Sequence, residues 1–363
     1  MLRHACLHLM EEVLMNQNTR NFGFYVIRIV ACLAIVVLHT AQYGTDAFKN
    51  PEQVRIAAMS LRNCMMWAVP CFVMVTGALL LDPARELSLK KLFTKYIARI
   101  FWALLLISAV YEITDYFIFH DRTLPGAVKN WAEGILFASG WKPLWYLYLL
   151  IGLYLLMPFY KKISAHCSRQ EMRYLLIVLF VFQALIPTIE ALSGKDIGFY
   201  IAVYSVYMLY LFMGYAISQG MEKLPKKIVL PLLIASFAAV VLFTCLYITG
   251  QHSGLNAAVT RYSFVLTVFQ AGWIYILLHN LEEPAGSRIS VLTRKLDSLT
   301  FGVYLIHLIF LRGLIHGRHF NMNAHGGIAM ILLCALVIFV LSAIVTWLCK
   351  ILFRHIPVLR MIF

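Results

Sequence analysis

Long apolar segments alternate with short polar connections along most of the chain. Because about 20 apolar residues in a helix cross the hydrocarbon core of a bilayer, each segment is a candidate transmembrane helix. The segments cover approximately residues 22–42, 59–81, 93–119, 144–160, 172–190, 199–218, 228–249, 262–280, 298–311 and 328–353. The pattern predicts an all-α polytopic membrane protein of about ten transmembrane helices.

Composition favours a membrane protein over a soluble one. Of the 363 residues, 61% are hydrophobic and 13% are charged, whereas a soluble protein carries about 25% charged residues. The net charge of +14 would indicate nucleic-acid binding in a soluble domain. Here lysines and arginines concentrate in alternate connections, as expected of loops at an anionic cytoplasmic leaflet. We therefore expect no nucleic-acid partner.

The same charge distribution predicts the topology. Both termini are expected in the cytoplasm, and the protein is expected in the cell inner (cytoplasmic) membrane. Residues 1–21 are predicted to form a cytoplasmic N-terminal segment, 22–353 the transmembrane domain and 354–363 a cytoplasmic tail. In this topology Arg28 lies in the inner half of the first transmembrane helix and His39 in its outer half.

Arg28 and His39 are the two strongly polar side chains of the first apolar segment. Eleven positions at about 100° per residue return a helix to within about 20° of its starting direction, so both side chains lie on one face. Their axial separation is about 16 Å at 1.5 Å per residue. A charge at the centre of a transmembrane helix costs about 2.5–3.5 kcal/mol, which favours a face that lines a cavity. Snorkelling of Arg28 to the headgroups is the alternative interpretation.

Two other apolar segments carry polar residues at helical spacing. Tyr304 and His307 lie three positions apart on one face of the ninth segment. A single buried histidine is more often structural than catalytic, but two histidines and an arginine inside membrane segments predict a functional site. Glu112 and Asp115 lie near the far end of the third segment, where they either face water or contact a sugar acceptor.

Four short motifs resemble the integral-membrane acyltransferase 3 family. The first is the arginine, ten residues and histidine formed by Arg28 and His39, and the second is VPCFVMVTG at 69–77. The third is LWYLY at 144–148, which includes Trp145, and the fourth is SLTFGVYLIHLIFL at 298–311. The chain looks most like the short WecH-type O-acetyltransferases, which lack a fused soluble domain.

The resemblance implies an acyl-CoA-dependent O-acyltransferase, with acetyl-CoA as the acyl donor and a cell-surface glycan or lipid-linked sugar as the acceptor. Family members tend to carry an RxxR pair at the start of the third helix, attributed to handling of the donor. This chain has Tyr96 at the first position and Arg99 at the second, with Lys95 alongside. The resemblance therefore carries the donor-binding role to Arg99, and Lys95 is a candidate substitute for the missing arginine.

O-acyl transfer from a thioester needs a base for the acceptor hydroxyl, stabilisation of the developing oxyanion and a cationic dock for the donor phosphates. His39 is the first candidate for the base, or alternatively for a covalent acyl carrier. Arg28 is expected to position the donor or to hold the oxygen of the intermediate. The remaining polar residues are candidates for pocket or acceptor contacts: Tyr304, His307, Glu112, Asp115 and Trp145.

Two alternatives come from other functional classes. A transporter on the same membrane fold would move a small molecule through a polar midplane, and a non-catalytic subunit or sensor would use the same residues without turnover. We expect no metal, because the residues whose spacing imitates ligands form no complete ligand set. These residues are His4, Cys6, His8, His316, His319 and His325.

Overall fold

The structure is a computed structural model that describes residues 2–119, 123–137, 142–199, 205–221, 224–251, 254–317, 320–322 and 327–363. Within these ranges, the side chains of residues 2–21, 118–119, 142, 256–257 and 316–317 are not described. The chain is 81% helical, and the described residues contain no strand, which confirms the all-α prediction. The six residues that imitate metal ligands lie outside the described side chains.

Seventeen α-helices occur in the described residues. The first eight are α1 (Leu2–Ala47), α2 (Glu52–Cys64), α3 (Ala68–Leu80), α4 (Leu89–Lys91), α5 (Ala98–Thr114), α6 (Leu124–Leu136), α7 (Trp145–His166) and α8 (Arg169–Phe180). The others are α9 (Ile186–Ser193), α10 (Val206–Ser218), α11 (Lys226–Ile248), α12 (Gly254–Val259), α13 (Val265–Leu278), α14 (Arg288–Asp297), α15 (Thr300–Arg312), α16 (Gly327–Leu352) and α17 (Pro357–Ile362). Short π-helical turns cover Leu92–Ile97, Asp115–Phe119, Val181–Leu185 and Gly313–Gly317, and a 3₁₀ turn covers Lys142–Leu144.

Seven segments of the described chain are long and apolar enough to cross a membrane. They are Phe22–Ala47, Glu52–Leu80, Leu89–Phe117, Trp145–His166, Arg169–Ser193, Lys226–Ile248 and Gly327–Leu352. An eighth arises if α14 and α15, which bend by 62° at their junction, are taken as one span, and α10 and α13 are shorter apolar helices. The protein is therefore a multi-pass membrane protein. The count of ten transmembrane helices, the orientation of the termini and the division at residues 21 and 353 stay predictions.

The exposed surface of α16 has the character expected of a lipid-facing helix. Leu332, Leu336 and Val340 are each about half exposed, although the helix is predominantly apolar. A contiguous apolar surface of this kind is rare on soluble monomers, whereas hydrocarbon chains solvate it readily.

The polar ends of helices were less well predicted than their apolar centres. The prediction of a connection at 43–58 is wrong in part, because α1 continues to Ala47 and α2 begins at Glu52. The polar connection expected at 281–297 contains α14. In α2, Glu52 lies in the first turn and Arg62 in the last turn, where each charge interacts favourably with the helix dipole. Such amphipathic turns carry no hydropathy signal.

The chain divides into two compact units. Unit 1 comprises Met1–Ile35, Ser60–Leu79 and Ser168–Thr300, and unit 2 comprises Val36–Met59, Leu80–Cys167 and Phe301–Phe363. In unit 1, α3 and α10 approach closely at two glycines. A Cβ atom on Gly77 would collide with the backbone of Leu211, and one on Gly214 would collide with the backbone of Met74. Small residues permit this packing of membrane helices.

In unit 2, two tyrosine hydroxyls fix the position of α15. Tyr111 of α5 donates a hydrogen bond to the carbonyl oxygen of Leu305, and Tyr304 donates one to the carbonyl oxygen of Pro143. Because a hydroxyl in an apolar interior is costly without a partner, these bonds favour one placement of the helix. α15 carries His307.

Candidate active site

Two histidines predicted from separate apolar segments lie against each other in unit 2. The ring centroids of His39 on α1 and His307 on α15 are 5.3 Å apart, with 34° between the ring planes. His39 is half-buried, whereas His307 is fully enclosed at 0% exposure. The pair therefore combines one accessible imidazole with one that is shielded from solvent.

The hydrogen bonds of His307 define its tautomer. Its Nδ1 lies 2.7 Å from the carbonyl oxygen of Tyr304 and 3.2 Å from that of Val303. Because a carbonyl oxygen only accepts, Nδ1 carries the hydrogen and Nε2 carries a lone pair. Nε2 is buried and has no hydrogen-bond partner among the described residues.

A series of ring contacts along α15 connects Arg99 with His39. The guanidinium of Arg99 lies 4.5 Å from the ring centroid of Phe301, which is 6.4 Å from the ring of Tyr304. The ring of Tyr304 is 6.2 Å from that of His307, the neighbour of His39. Phe301 and His307 are six residues apart, so this part of the series extends about 9 Å along the helix.

Arg99 is held at one further point. Its Nη2 donates a hydrogen bond of 3.1 Å to the carbonyl oxygen of Ile362 in α17. Its Nε is buried without a hydrogen-bond partner among the described residues, so the guanidinium retains an unused donor. Lys95, one of the residues of the π-helical turn Leu92–Ile97, is exposed.

The ring of Tyr304 is also in contact with the start of α7. Tyr146 lies 5.6 Å from Tyr304 in a T-shaped arrangement, and Trp145 lies 6.1 Å from Tyr146. The predicted residue Trp145 thus contacts Tyr146, the residue that touches Tyr304.

A charged cluster lies beyond His39 in unit 2. The ring of Tyr43, one helical turn after His39 on α1, is 6.3 Å from the ring of His39. Asp115 is fully buried and forms an ion pair of 2.7 Å with Arg312, and Glu112 is 6% exposed. The interpretation that both acids face water is therefore wrong, because burial and the arginine replace the expected hydration.

Arg28 lies in unit 1, where it forms a bidentate ion pair. Its Nε lies 2.7 Å from Oδ1 of Asp297, and its Nη2 lies 2.8 Å from Oδ2. The guanidinium also lies over the ring of Tyr25, 5.5 Å from its centroid. Asp297 is the last residue of α14, at the bend that precedes α15. Snorkelling does not describe this arrangement, since the charge is paired with a carboxylate inside the unit.

A comparison with family models matches an acyltransferase domain over residues 21–349. The chain belongs to the acyltransferase 3 family. Searches of curated proteins and of solved structures gave no significant match. The match covers both units and all the candidate residues, and it makes this protein a membrane acyltransferase. The predicted roles of the individual residues, and the likeness to the WecH-type members, stay predictions.

Three contacts of this membrane acyltransferase were not foreseen from its sequence. Arg312 had a sequence signal that could have identified it, because it is a charged residue at the end of the apolar segment that carries His307. Tyr43 had a weaker one, as the residue one turn after His39. Asp297 had none, because it lies in a polar connection 269 residues from its partner.

Proposed function

We propose that this membrane acyltransferase is an acyl-CoA-dependent O-acyltransferase. Acetyl is the expected acyl group, and a hydroxyl of a cell-surface glycan or lipid-linked sugar is the expected acceptor. The observation that supports this proposal most directly is the series of contacts from Arg99, through Phe301, Tyr304 and His307, to His39. A cation suited to donor phosphates thereby lies in the same unit as an imidazole suited to catalysis.

In the proposed reaction His39 acts as the general base. It takes the proton of the acceptor hydroxyl while that oxygen attacks the thioester carbonyl carbon. The carbon–sulfur bond then breaks, and the imidazolium returns the proton to the departing thiolate. In the covalent variant, the His39 nitrogen attacks the thioester carbonyl carbon, the carbon–sulfur bond breaks and coenzyme A leaves as the thiolate. The acceptor oxygen then attacks the acyl-imidazole, the acyl–nitrogen bond breaks, and the hydroxyl proton passes to the released imidazole and from it to the thiolate or to solvent. Both variants need a neutral imidazole that is accessible to substrate, and the partial exposure of His39 is compatible with either.

The donor is proposed to bind near Arg99. An arginine offers five N–H donors in a planar fork, and the buried Nε–H of Arg99 has no partner among the described residues. The phosphates of coenzyme A fit such a group by charge and geometry. A cavity of about 250 Å³ with two further cations lies in the same unit, lined by Leu80, Arg85, Glu86, Leu87, Lys91 and Tyr96. Lys95 is retained as a weaker candidate, because an ammonium does not reproduce the bidentate fork.

The acceptor is proposed to bind beside Tyr43, which lies close enough to Asp115 and Arg312 to interact with them electrostatically. Asp115 and Glu112 are both buried. Carboxylates accept hydrogen bonds from sugar hydroxyls, and aromatic rings offer apolar faces for sugar rings. A buried charge pair inside a membrane segment is costly and is usually retained for function. The donor-positioning role of Arg28 stays a prediction, and within unit 1 its pairing with Asp297 supports a fixed guanidinium rather than a mobile one.

The test is transfer of label from radiolabelled acetyl-CoA by the purified protein in lipid nanodiscs, with and without extracted glycan acceptors. We expect wild type to release or transfer label and His39→Ala to lose activity by a factor of about 10²–10⁴. His279→Ala is the control for loss of an imidazole outside the proposed site, because His279 lies in unit 1 and its Nδ1 bonds to the carbonyl oxygens of Tyr275 and Ile276. Equal activity in wild type and His39→Ala would contradict the catalytic role of His39.

The same preparation separates the proposal from a transporter. The 62° bend between α14 and α15 is the feature that favours transport, because broken helices line the substrate sites of many transporters. Flux of a small solute into sealed vesicles without acetyl-CoA, together with no turnover of acetyl-CoA by wild type, would support transport and exclude the acyltransferase reaction proposed here.

A further inference from the structure

The two nitrogens of His307 have different environments. Nδ1 is bound to carbonyl oxygens of its own helix, so its hydrogen is committed. Nε2 is an enclosed hydrogen-bond acceptor without a partner among the described residues. A buried polar atom without a partner is costly and needs an explanation. The neighbouring ring is His39, whose centroid is 5.3 Å away.

We propose that His307 is a positioning residue for His39. Its Nε2 accepts a hydrogen bond from a ring N–H of His39, which leaves the other nitrogen of His39 as a lone pair directed towards the substrate. Rotation of His39 about its side-chain torsions can bring a nitrogen of each ring within about 2.7–3.2 Å at this centroid distance. Catalytic hydrogen bonds are often long in the substrate-free state and shorten when substrate binds.

The proposal rests on the proposed function of His39 as base or acyl carrier. In either role, an imidazole is effective only if the nitrogen that faces the substrate is the one without hydrogen. In serine hydrolases a carboxylate fixes that tautomer by accepting from the other nitrogen. His307 would do the same with a neutral lone pair, which avoids an additional buried charge inside the membrane.

His279, a histidine of unit 1, forms similar bonds to its own helix. Its Nδ1 also contacts the carbonyl oxygens three and four residues earlier, and it is 7% exposed. Its ring stacks on Tyr275 at 5.5 Å, with 11° between the planes. Bonds from Nδ1 to helix carbonyl oxygens therefore also occur outside the site. Of these two histidines, only His307 has a described contact with another imidazole, that of His39.

Two substitutions at His307 test the roles of its two nitrogens separately. The amide of an asparagine reaches the place of Nδ1 and can keep a bond to a helix carbonyl, but it does not reach the place of Nε2. The amide of a glutamine reaches the place of Nε2, where its oxygen can accept from His39. We expect His307→Gln to retain kcat within about tenfold of wild type and His307→Asn to lose about a hundredfold or more, with little change in KM for acetyl-CoA.

The relative kcat of His307→Asn and His307→Gln distinguishes a positioning role of His307 from a structural one. If His307 only stabilises α15 through Nδ1, the order is reversed and His307→Asn is the more active variant. Equal losses in both variants would also overturn the proposal. His279→Asn and His279→Gln are the controls for buried-site damage, and both are expected to keep wild-type kcat once the folded fraction is matched by size-exclusion chromatography.

If the protein turns over no acyl donor, the proposed function fails, but the positioning role of His307 can still be tested by a second measurement. Solid-state NMR of protein with ¹⁵N-labelled histidine rings in nanodiscs reports which nitrogen of each ring carries hydrogen. The His39 signals are assigned by their loss in His39→Ala. We expect one tautomer of His39 in wild type and His307→Gln, and a mixture of tautomers in His307→Asn. An unchanged His39 spectrum in His307→Asn would refute the positioning role.

Discussion

The geometry of the ion pair between Arg28 and Asp297 predicts the size of the coupling free energy between the two side chains. Two hydrogen bonds of 2.7 and 2.8 Å join the charged groups, and each such bond is worth about 1.5–3 kcal/mol. The side chains are 21% and 13% exposed, so solvent screens part of this energy. We expect a coupling free energy of about 2 kcal/mol, between the 0.2–1 kcal/mol of exposed pairs and the larger values of fully buried ones.

A double-mutant cycle measures this coupling. The variants are Arg28→Gln, Asp297→Asn and the double substitution, and the free energy of unfolding is followed by circular dichroism in mixed micelles. The control cycle uses Lys129 and Glu133 of α6, whose charged atoms are 3.7 Å apart and whose side chains are 73% and 47% exposed. Its coupling should be below about 0.5 kcal/mol. A coupling at Arg28 no larger than that of the control would refute the inference that the pair is fixed.

Three further predictions concern other parts of the structure. Arg312→Leu should destabilise the protein by about 3–5 kcal/mol in the same unfolding assay, because it removes the arginine that pairs with the buried Asp115 carboxylate, and adding Asp115→Asn should recover part of the loss. Gly77→Ala should reduce the yield of folded protein by size-exclusion chromatography, whereas Gly152→Ala, with open space around it, should not; equal yields would contradict the close packing. Arg99→Lys should raise KM for acetyl-CoA more than it lowers kcat in steady-state assays, since a lysine loses the fork but keeps the charge; an unchanged KM would exclude Arg99 from the donor site.

The sequence predicted the fold class because apolar length is a strong signal in a membrane protein. The 26 residues of α16 could be recognised as a span without any knowledge of neighbours. The same reasoning singled out His39 and His307, since a polar side chain in such a segment is conspicuous. Their mutual contact could not be derived, because helix periodicity gives the face of each helix but not which faces meet.

Interaction partners that lie outside the apolar segments could not be predicted from the sequence for a related reason. Asp297 is one of several acids in a polar connection, and no periodicity links it to Arg28. The start of α2 at Glu52 was missed because an amphipathic polar helix resembles a connection by composition. In both cases the information lies in tertiary packing, which overrides local propensity.

π-helical turns lie at or next to three charged residues of unit 2 and alter the helical spacing there. Such turns lie at Leu92–Ile97, which includes Lys95, at Asp115–Phe119, which begins with Asp115, and at Gly313–Gly317, which follows Arg312. A π turn inserts one residue, so the side chains after it are rotated by about 100° relative to an uninterrupted α-helix. The RxxR spacing therefore does not define a single face at Arg99. Because π turns frequently occur at functional sites, their occurrence at or beside three charged residues of one unit favours a functional site there.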